Sequence, residues 1–236
     1  MQYQIYSDFL ASPQVRELMF NTGDRRRGNM PLFAITVLRK LCNHPDILLR
    51  DVPEEKKPED YGLPERSGKF MVLREIMNQW NRKKNKVLVF SQTRMMLDVI
   101  DTWAAKQGWK YLRMDGTTPM SKRWRMIDEF SENPDIFCII MTTKVGGVGL
   151  NLQAADRVVL FDPDWNPMTD IQARERSWRI GQTKEVTIYR LITTGTIEEK
   201  IYQRQVYKHC LAQKILNDPR QNRFFKKDGL EDIFSK

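Results

Sequence analysis

The stretch Gln172-Ala-Arg-Glu-Arg-Ser-Trp-Arg-Ile-Gly-Gln182 brings together residue types suited to holding a polyphosphate. Asn166 can cap the helix leading into it, Pro167 suits the first helical position, and Gly181 is a natural stop. At 3.6 residues per turn Gln172, Arg176 and Arg179 fall at i, i+4 and i+7, within a wedge of about 60°. One helix face then presents two guanidiniums and an amide. A guanidinium stays charged, and its planar fork of donors fits phosphate oxygens. A solvated cationic face is the plain alternative for any basic helix. What lies upstream decides between them.

Three more stretches could meet phosphate. Phe90-Ser-Gln-Thr93, Asp115-Gly-Thr-Thr118 and Thr142-Thr-Lys-Val-Gly-Gly-Val-Gly-Leu-Asn151 each follow a short apolar run. Ligands of doubly wound sheets sit beyond the carboxyl ends of the strands, where helix N-termini and glycine-exposed amides favour anions. Each signal is weak by itself. Gly146, Gly147 and Gly149 do not spell G-x-G-x-x-G, and Gly68-Lys69 lacks the earlier glycine and the following Ser or Thr of a P-loop. No carboxylate motif for magnesium stands out. The chain carries phosphate-facing loops and arginines without a nucleotide cradle, which is half an active site.

The elements that must position these residues follow from periodicity. Residues 1–50 read as helices, with apolar spacing over 10–20 and 32–41 around the basic loop Asp24-Arg-Arg-Arg-Gly28, and Asn43-His44-Pro45 ends the second. Residues 51–66 read as a charged linker bearing Pro53, Pro58 and Pro64. From Ser67 helices alternate with strands. Strands are expected at 86–91, 110–114, 136–141, 157–161 and 185–192, with helices at 67–82, 94–106 and 118–130 preceding the first three and a glycine-rich turn and short helix before the fourth. That alternation predicts a doubly wound α/β domain with a parallel sheet covered on both faces. Thr196-Ile-Glu-Glu199 is a capping box for a helix to about residue 216, followed by a basic and aromatic tail over 220–234 that is expected to dock on its own domain.

Composition narrows the partners. The chain has 236 residues, 41% hydrophobic and 29% charged, and a net charge of +9. That is globular composition with a preference for a polyanion, and without a membrane-length apolar run or signal peptide nucleic acid is favoured over a membrane. Cys42, Cys138 and Cys210 are too scattered for a disulfide framework, and Cys42 with His44 has no second ligand pair for zinc.

In order and spacing the motifs resemble the second RecA-like lobe of a Swi/Snf-class superfamily-two helicase. Phe90-Ser-Gln92 resembles the family's fourth motif, and Arg113-Met-Asp-Gly-Thr117 the segment after it. The run from Thr143 to Asn151 resembles the fifth motif, Phe161-Asp-Pro-Asp-Trp-Asn-Pro167 the element beyond, and the arginine stretch the sixth. Leu41-Cys-Asn-His-Pro45 and Glu198-Glu-Lys-Ile201 resemble flanking signatures. Trp178, Ile201-Tyr-Gln-Arg-Gln205 and Asp218-Pro-Arg-Gln-Asn-Arg-Phe-Phe225 look most like the Cockayne syndrome group B branch.

The resemblance implies a helical protrusion over 1–50, a linker over 51–66, a RecA-like lobe over 67–195, and a C-terminal helix with a brace-like tail over 196–236. It implies that a first lobe, which would hold ATP and Mg²⁺, belongs to a longer nuclear protein. Arg176 and Arg179 would be catalytic arginines, with Gln172 in the same cleft and Gly149 and Asn151 facing the nucleotide sugar. Ser91, Gln92, Thr117, Thr143 and Lys144 would meet the phosphates of one strand of double-stranded DNA. Trp165 would either pack in the core or link the DNA and ATP sites, and Arg25-Arg-Arg27 would be a phosphate or partner patch. The implied function is an ATP-driven DNA translocase acting at stalled RNA polymerase in transcription-coupled repair. A nucleosome remodeller of the same class and a catalytically dead scaffold are the alternatives.

Overall fold

The computed structural model describes residues 1–13, 15–16, 30–146, 150–176, 182 and 184–217. Five parallel strands form one sheet in the order β2-β3-β1-β4-β5: β1 Val87–Ser91, β2 Lys110–Met114, β3 Ile136–Thr142, β4 Arg157–Leu160 and β5 Thr187–Arg190. Its register pairs Val89 with Ile140 and with Val159. The helices are α1 Gln2–Ala11, α2 Met30–Asn43, α3 Gly68–Arg82, α4 Arg94–Lys106, α5 Met120–Glu132, α6 Thr143–Gly146, α7 Pro167–Arg174 and α8 Ile197–Asn217.

Successive strand side chains point to opposite faces, and the sequence uses both. Val87, Val89, Cys138, Ile140 and Val159 pack against Phe70, Leu73, Met77 and Trp80 of α3 and Leu97, Ile100 and Trp103 of α4. Leu88, Phe90, Ile139, Met141, Val158 and Leu160 face the other way, onto Met126, Ile127 and Phe130 of α5 and Leu150, Leu152 and Ala173. A sheet buried on both faces must be apolar throughout, so β1 and β3 are buried along their whole length. Removing a ring such as Phe70 from this core should cost about 3–5 kcal/mol.

A third apolar cluster joins the two ends of the chain. Tyr6 of α1 and Ile35, Leu38, Leu41 and Cys42 of α2 pack on Ile197 and Ile201 of α8, and the Tyr6 hydroxyl accepts from the Ile197 amide at 2.9 Å. The helix expected over 10–20 does not begin at Leu10: α1 ends at Ala11, and Ser12 is extended (φ −62°, ψ 144°) because the following Pro13 disfavours helix before it. Residues 17–29, with the Arg25-Arg-Arg27 cluster, lie outside the described residues.

The segment expected as a loose linker is pinned. The buried carboxylate of Asp46 accepts from the Gly62 amide at 2.7 Å and from Arg66 Nε at 2.9 Å, and Arg66 also reaches Asp60 at 2.7 Å. His44 adds a bond between its Nε2 and the Leu63 carbonyl at 3.0 Å, while its Nδ1 accepts from the Asp46 amide. Three short 3-10 turns within 45–66 replace random coil. Composition alone does not reveal such ties. No described helix is long and apolar enough to cross a membrane.

Candidate nucleotide and nucleic-acid site

Because all strands run in parallel, the loops after β1, β2, β3 and β4 share one edge of the sheet. The loop after β1 is tied to the loop after β4. Asp162, buried, accepts from the Ser91 hydroxyl at 2.8 Å and the Gln92 amide at 3.0 Å. Arg39 of α2 lies 4.0 Å from Asp162 and donates to the Pro163 carbonyl at 3.0 Å. After β2, Asp115 accepts from both the amide and the hydroxyl of Thr117, at 2.9 and 2.6 Å. The Thr117 hydroxyl is the first cause holding the Asp115 carboxyl below the usual range, with Arg113 and Arg94 adding to it.

Part of the expected phosphate set is engaged within the chain. The hydroxyls of Ser91 and Thr117 donate to carboxylates, and Ser91 and Thr143 are buried. Gln92 is half-buried, and its Nε2 is buried without a hydrogen-bond partner among the described residues. Lys144, in the first turn of α6, is exposed.

The arginine stretch also departs from expectation. Asn166 caps α7 as its residue type predicts, accepting from the Met168 amide at 3.1 Å. The helix then stops at Arg174, and Glu175 and Arg176 form a turn. Gln172 and Arg176 therefore do not share one continuous helix face. The reason is tertiary: the Arg176 carbonyl accepts from the Leu152 amide at 3.0 Å instead of continuing the helical ladder. Gln172 is exposed and Arg176 half-buried. Arg179 and Gly149 lie outside the described residues, as does Trp178.

That same bond brings the segment after the glycine run against the arginine turn. Gln182 closes the other side, its Nε2 donating to the carbonyls of Gln153 at 2.8 Å and Ala155 at 3.3 Å. Between them Asn151 is exposed, its Nδ2 donating to Gln153 Oε1 at 3.3 Å. Arg176 and Asn151 thus belong to neighbouring segments.

Trp165 is half-buried and packs on the helical cluster formed by α1, α2 and α8. The arrangement gives it a packing role and joins the loop after β4 to that cluster. Sequence reasoning missed two polar hubs. Lys69 of α3, buried, donates to Asn43 Oδ1 at 2.6 Å, to the Phe161 carbonyl at 3.0 Å and to Glu198 Oε1 at 2.5 Å. Removing one partner of such a buried pair typically costs about 3–5 kcal/mol. Asp170 of α7 is buried and accepts from Gln205 of α8 at 2.9 Å, with Arg190 of β5 at 3.9 Å. Burial pushes its carboxyl above the usual range, against the Gln205 hydrogen bond and the Arg190 charge. No group of three or more His, Cys, Asp or Glu side chains suited to a metal occurs among the described residues.

Residues 68–181 match the family model of the helicase conserved C-terminal domain. The chain is 51% identical over 233 residues to Protein CHROMATIN REMODELING 8 of Arabidopsis thaliana, covering 99% of this chain and 19% of that protein. It is 50% identical over 234 residues to DNA excision repair protein CSB of Oryza sativa subsp. japonica, with the same coverage, and 45% identical over 242 residues to DNA excision repair protein ERCC-6 of Homo sapiens, covering 99% and 16%. The chain thus spans about a fifth of these relatives. Among solved structures, the Sulfolobus solfataricus SWI2/SNF2 ATPase core in complex with dsDNA superposes with a TM-score of 0.72 at 28% identity, covering 91% of this chain and 43% of that one. The C-terminal part of the Fun30 ATPase domain gives 0.72 at 28%, covering 86% and 85%.

Proposed function

Since the chain belongs to the Swi/Snf class as a C-terminal RecA-like lobe most like the Cockayne syndrome group B proteins, we propose that it is the second half of an ATP-driven translocase on double-stranded DNA. The observation that supports this is the Leu152–Arg176 bond, which sets the arginine turn beside the segment that carries the exposed Asn151. An arginine and an amide on neighbouring segments suit a phosphate and a sugar. In this reading Mg²⁺ would be held by a first lobe. ATP would sit between the lobes and supply the energy of phosphoanhydride cleavage.

In this reading Arg176, with Arg179, neutralises charge developing on the terminal phosphate, as arginine fingers do. Gly149, Asn151 and Gln172 orient the nucleotide. Lys144 grips backbone phosphates of one DNA strand, beside the loops that carry Ser91, Gln92, Thr117 and Thr143. Contacts of this kind carry little sequence information. Trp165 couples the loop after β4 to the helical cluster.

The similarity to excision-repair proteins supports action at stalled RNA polymerase in the nucleus. The similarity to a relative named for chromatin remodelling supports the second reading, a motor acting on nucleosomes. Binding of the full-length protein to stalled polymerase against nucleosomes separates these. The motor reading itself is tested by whether duplex DNA accelerates ATP hydrolysis by the full-length protein, and whether that acceleration is lost in Arg176→Ala.

A further inference from the structure

The short helix α7 has to aim the arginine turn, and it is held by something besides its own backbone. Asp170 is fully buried on α7 and accepts from Gln205 Nε2 at 2.9 Å. Gln205, itself buried on α8, also donates to the Asp164 carbonyl just before α7. Asp170 further receives the Asp164 amide, at the 3.5 Å limit, and lies 3.9 Å from Arg190 of β5. One amide side chain of α8 therefore ties both the entry and the first turn of α7. At its far end α7 continues into Arg176, whose carbonyl holds Leu152.

We propose that Gln205 is a positioning residue: through the buried Asp170 it sets the angle of α7 and so the placement of Arg176 at the nucleotide edge. The inference rests on the motor reading above. Asp170 and Arg176 are six residues apart, about 9 Å at helical rise, so a tilt of about 10° would move the turn by about 1.6 Å. A misplacement of about 1 Å can cost on the order of 10²-fold in rate. A purely packing role has a different signature. Removing the amide would then lower stability, because the Asp170 carboxylate is left buried without its donor, while kcat of the folded protein would be unchanged. Since α8 also packs on α1 and α2 through Ile197 and Ile201, the position of that helical cluster is relayed to the arginine turn.

The test uses full-length protein with four variants: Gln205→Leu, Gln205→Glu, Asp170→Asn, and the exchange Asp170→Asn with Gln205→Glu. In the exchange an amide at position 170 donates to a carboxylate at position 205, which restores the bond between the two side chains with donor and acceptor reversed, though not the bond to the Asp164 carbonyl. DNA-stimulated kcat should fall on the order of 10- to 100-fold in Gln205→Leu and Gln205→Glu, with KM for ATP and duplex affinity within about threefold of wild type. The exchange should recover most of the lost kcat. Turnover within about twofold of wild type in both single Gln205 variants would overturn the proposal. So would an exchange that leaves kcat as low as in Gln205→Glu. Should Gln205→Leu fail to fold, Gln205→Glu and the exchange carry the same comparison. A wild-type protein that shows no DNA-stimulated hydrolysis would instead overturn the motor reading and this inference with it.

Discussion

The amide of Leu152 donates to the carbonyl of Arg176 at 3.0 Å, across 24 positions of sequence that include all of β4 and α7. This bond ties the turn after the helix to the segment that precedes β4. It also sets the loop after β3 beside the turn after α7. In the proposed motor, that pairing lets one lobe touch both the sugar and the terminal phosphate of a nucleotide that the other lobe holds.

The isolated 236-residue chain is expected to hydrolyse no ATP, with or without DNA. An arginine turn can stabilise charge but cannot by itself place a metal and an attacking water. Purified chain should show only background phosphate release. Turnover above background that disappears in Arg176→Ala would contradict the division of labour between two lobes.

Duplex binding by the chain should be weak, tolerant of sequence and sensitive to salt. Each phosphate neutralised contributes about 0.9 to the slope of log affinity against log salt. Lys144→Ala should lower that slope by about 0.9, while Thr117→Ala should leave it unchanged because the Thr117 hydroxyl already serves Asp115. Titrating unrelated duplexes across a salt series checks both. A strong preference for one sequence, or affinity indifferent to salt, would exclude phosphate tracking.

Stability should decline as the pH falls below the ordinary histidine value of about 6.5. Burial holds His44 below that value in the folded chain, with the Leu63 carbonyl and Asp46 opposing. Between the two values the unfolded chain binds more protons, so stability rises with pH and is lost on acidification, at no more than about 1.4 kcal/mol per pH unit. Asp170, whose folded value is raised, slopes the other way above its ordinary 3.8. It is common to wild type and His44→Gln, so the difference between their denaturation curves isolates His44. Parallel curves from pH 7 to 5 would show that His44 is not the group responsible.

Much of this was legible because it depends on local pattern. The runs that became β1 and β3 are apolar on both faces, and α3 and α4 begin after Ser67 and Thr93, whose side chains accept from Phe70 and Met96. The site was legible only in outline. Ser91 reads as an available hydroxyl until its acceptor, Asp162, arrives from 71 positions away. The i, i+4 relation of Gln172 and Arg176 assumes a helix that a long-range bond cuts short. Lys69 and Glu198 are 129 positions apart, and nothing near either predicts a buried ion pair. Long-range partners, which no window of sequence contains, account for each of these differences.

The most direct measurement is DNA-stimulated ATP hydrolysis by the full-length protein carrying Arg176→Ala or Arg179→Ala, with duplex affinity and melting temperature read on the same preparations. Arginine fingers contribute roughly 10³–10⁵ in rate, about 4–7 kcal/mol, whereas loss of a surface arginine changes stability by only about 0.5 kcal/mol. The account predicts that hydrolysis nearly vanishes in each variant while duplex affinity and melting temperature hold. Lysine should not restore it, because a point charge lacks the guanidinium fork. Near-normal hydrolysis in both alanine variants would contradict the catalytic role and leave these arginines as surface charge.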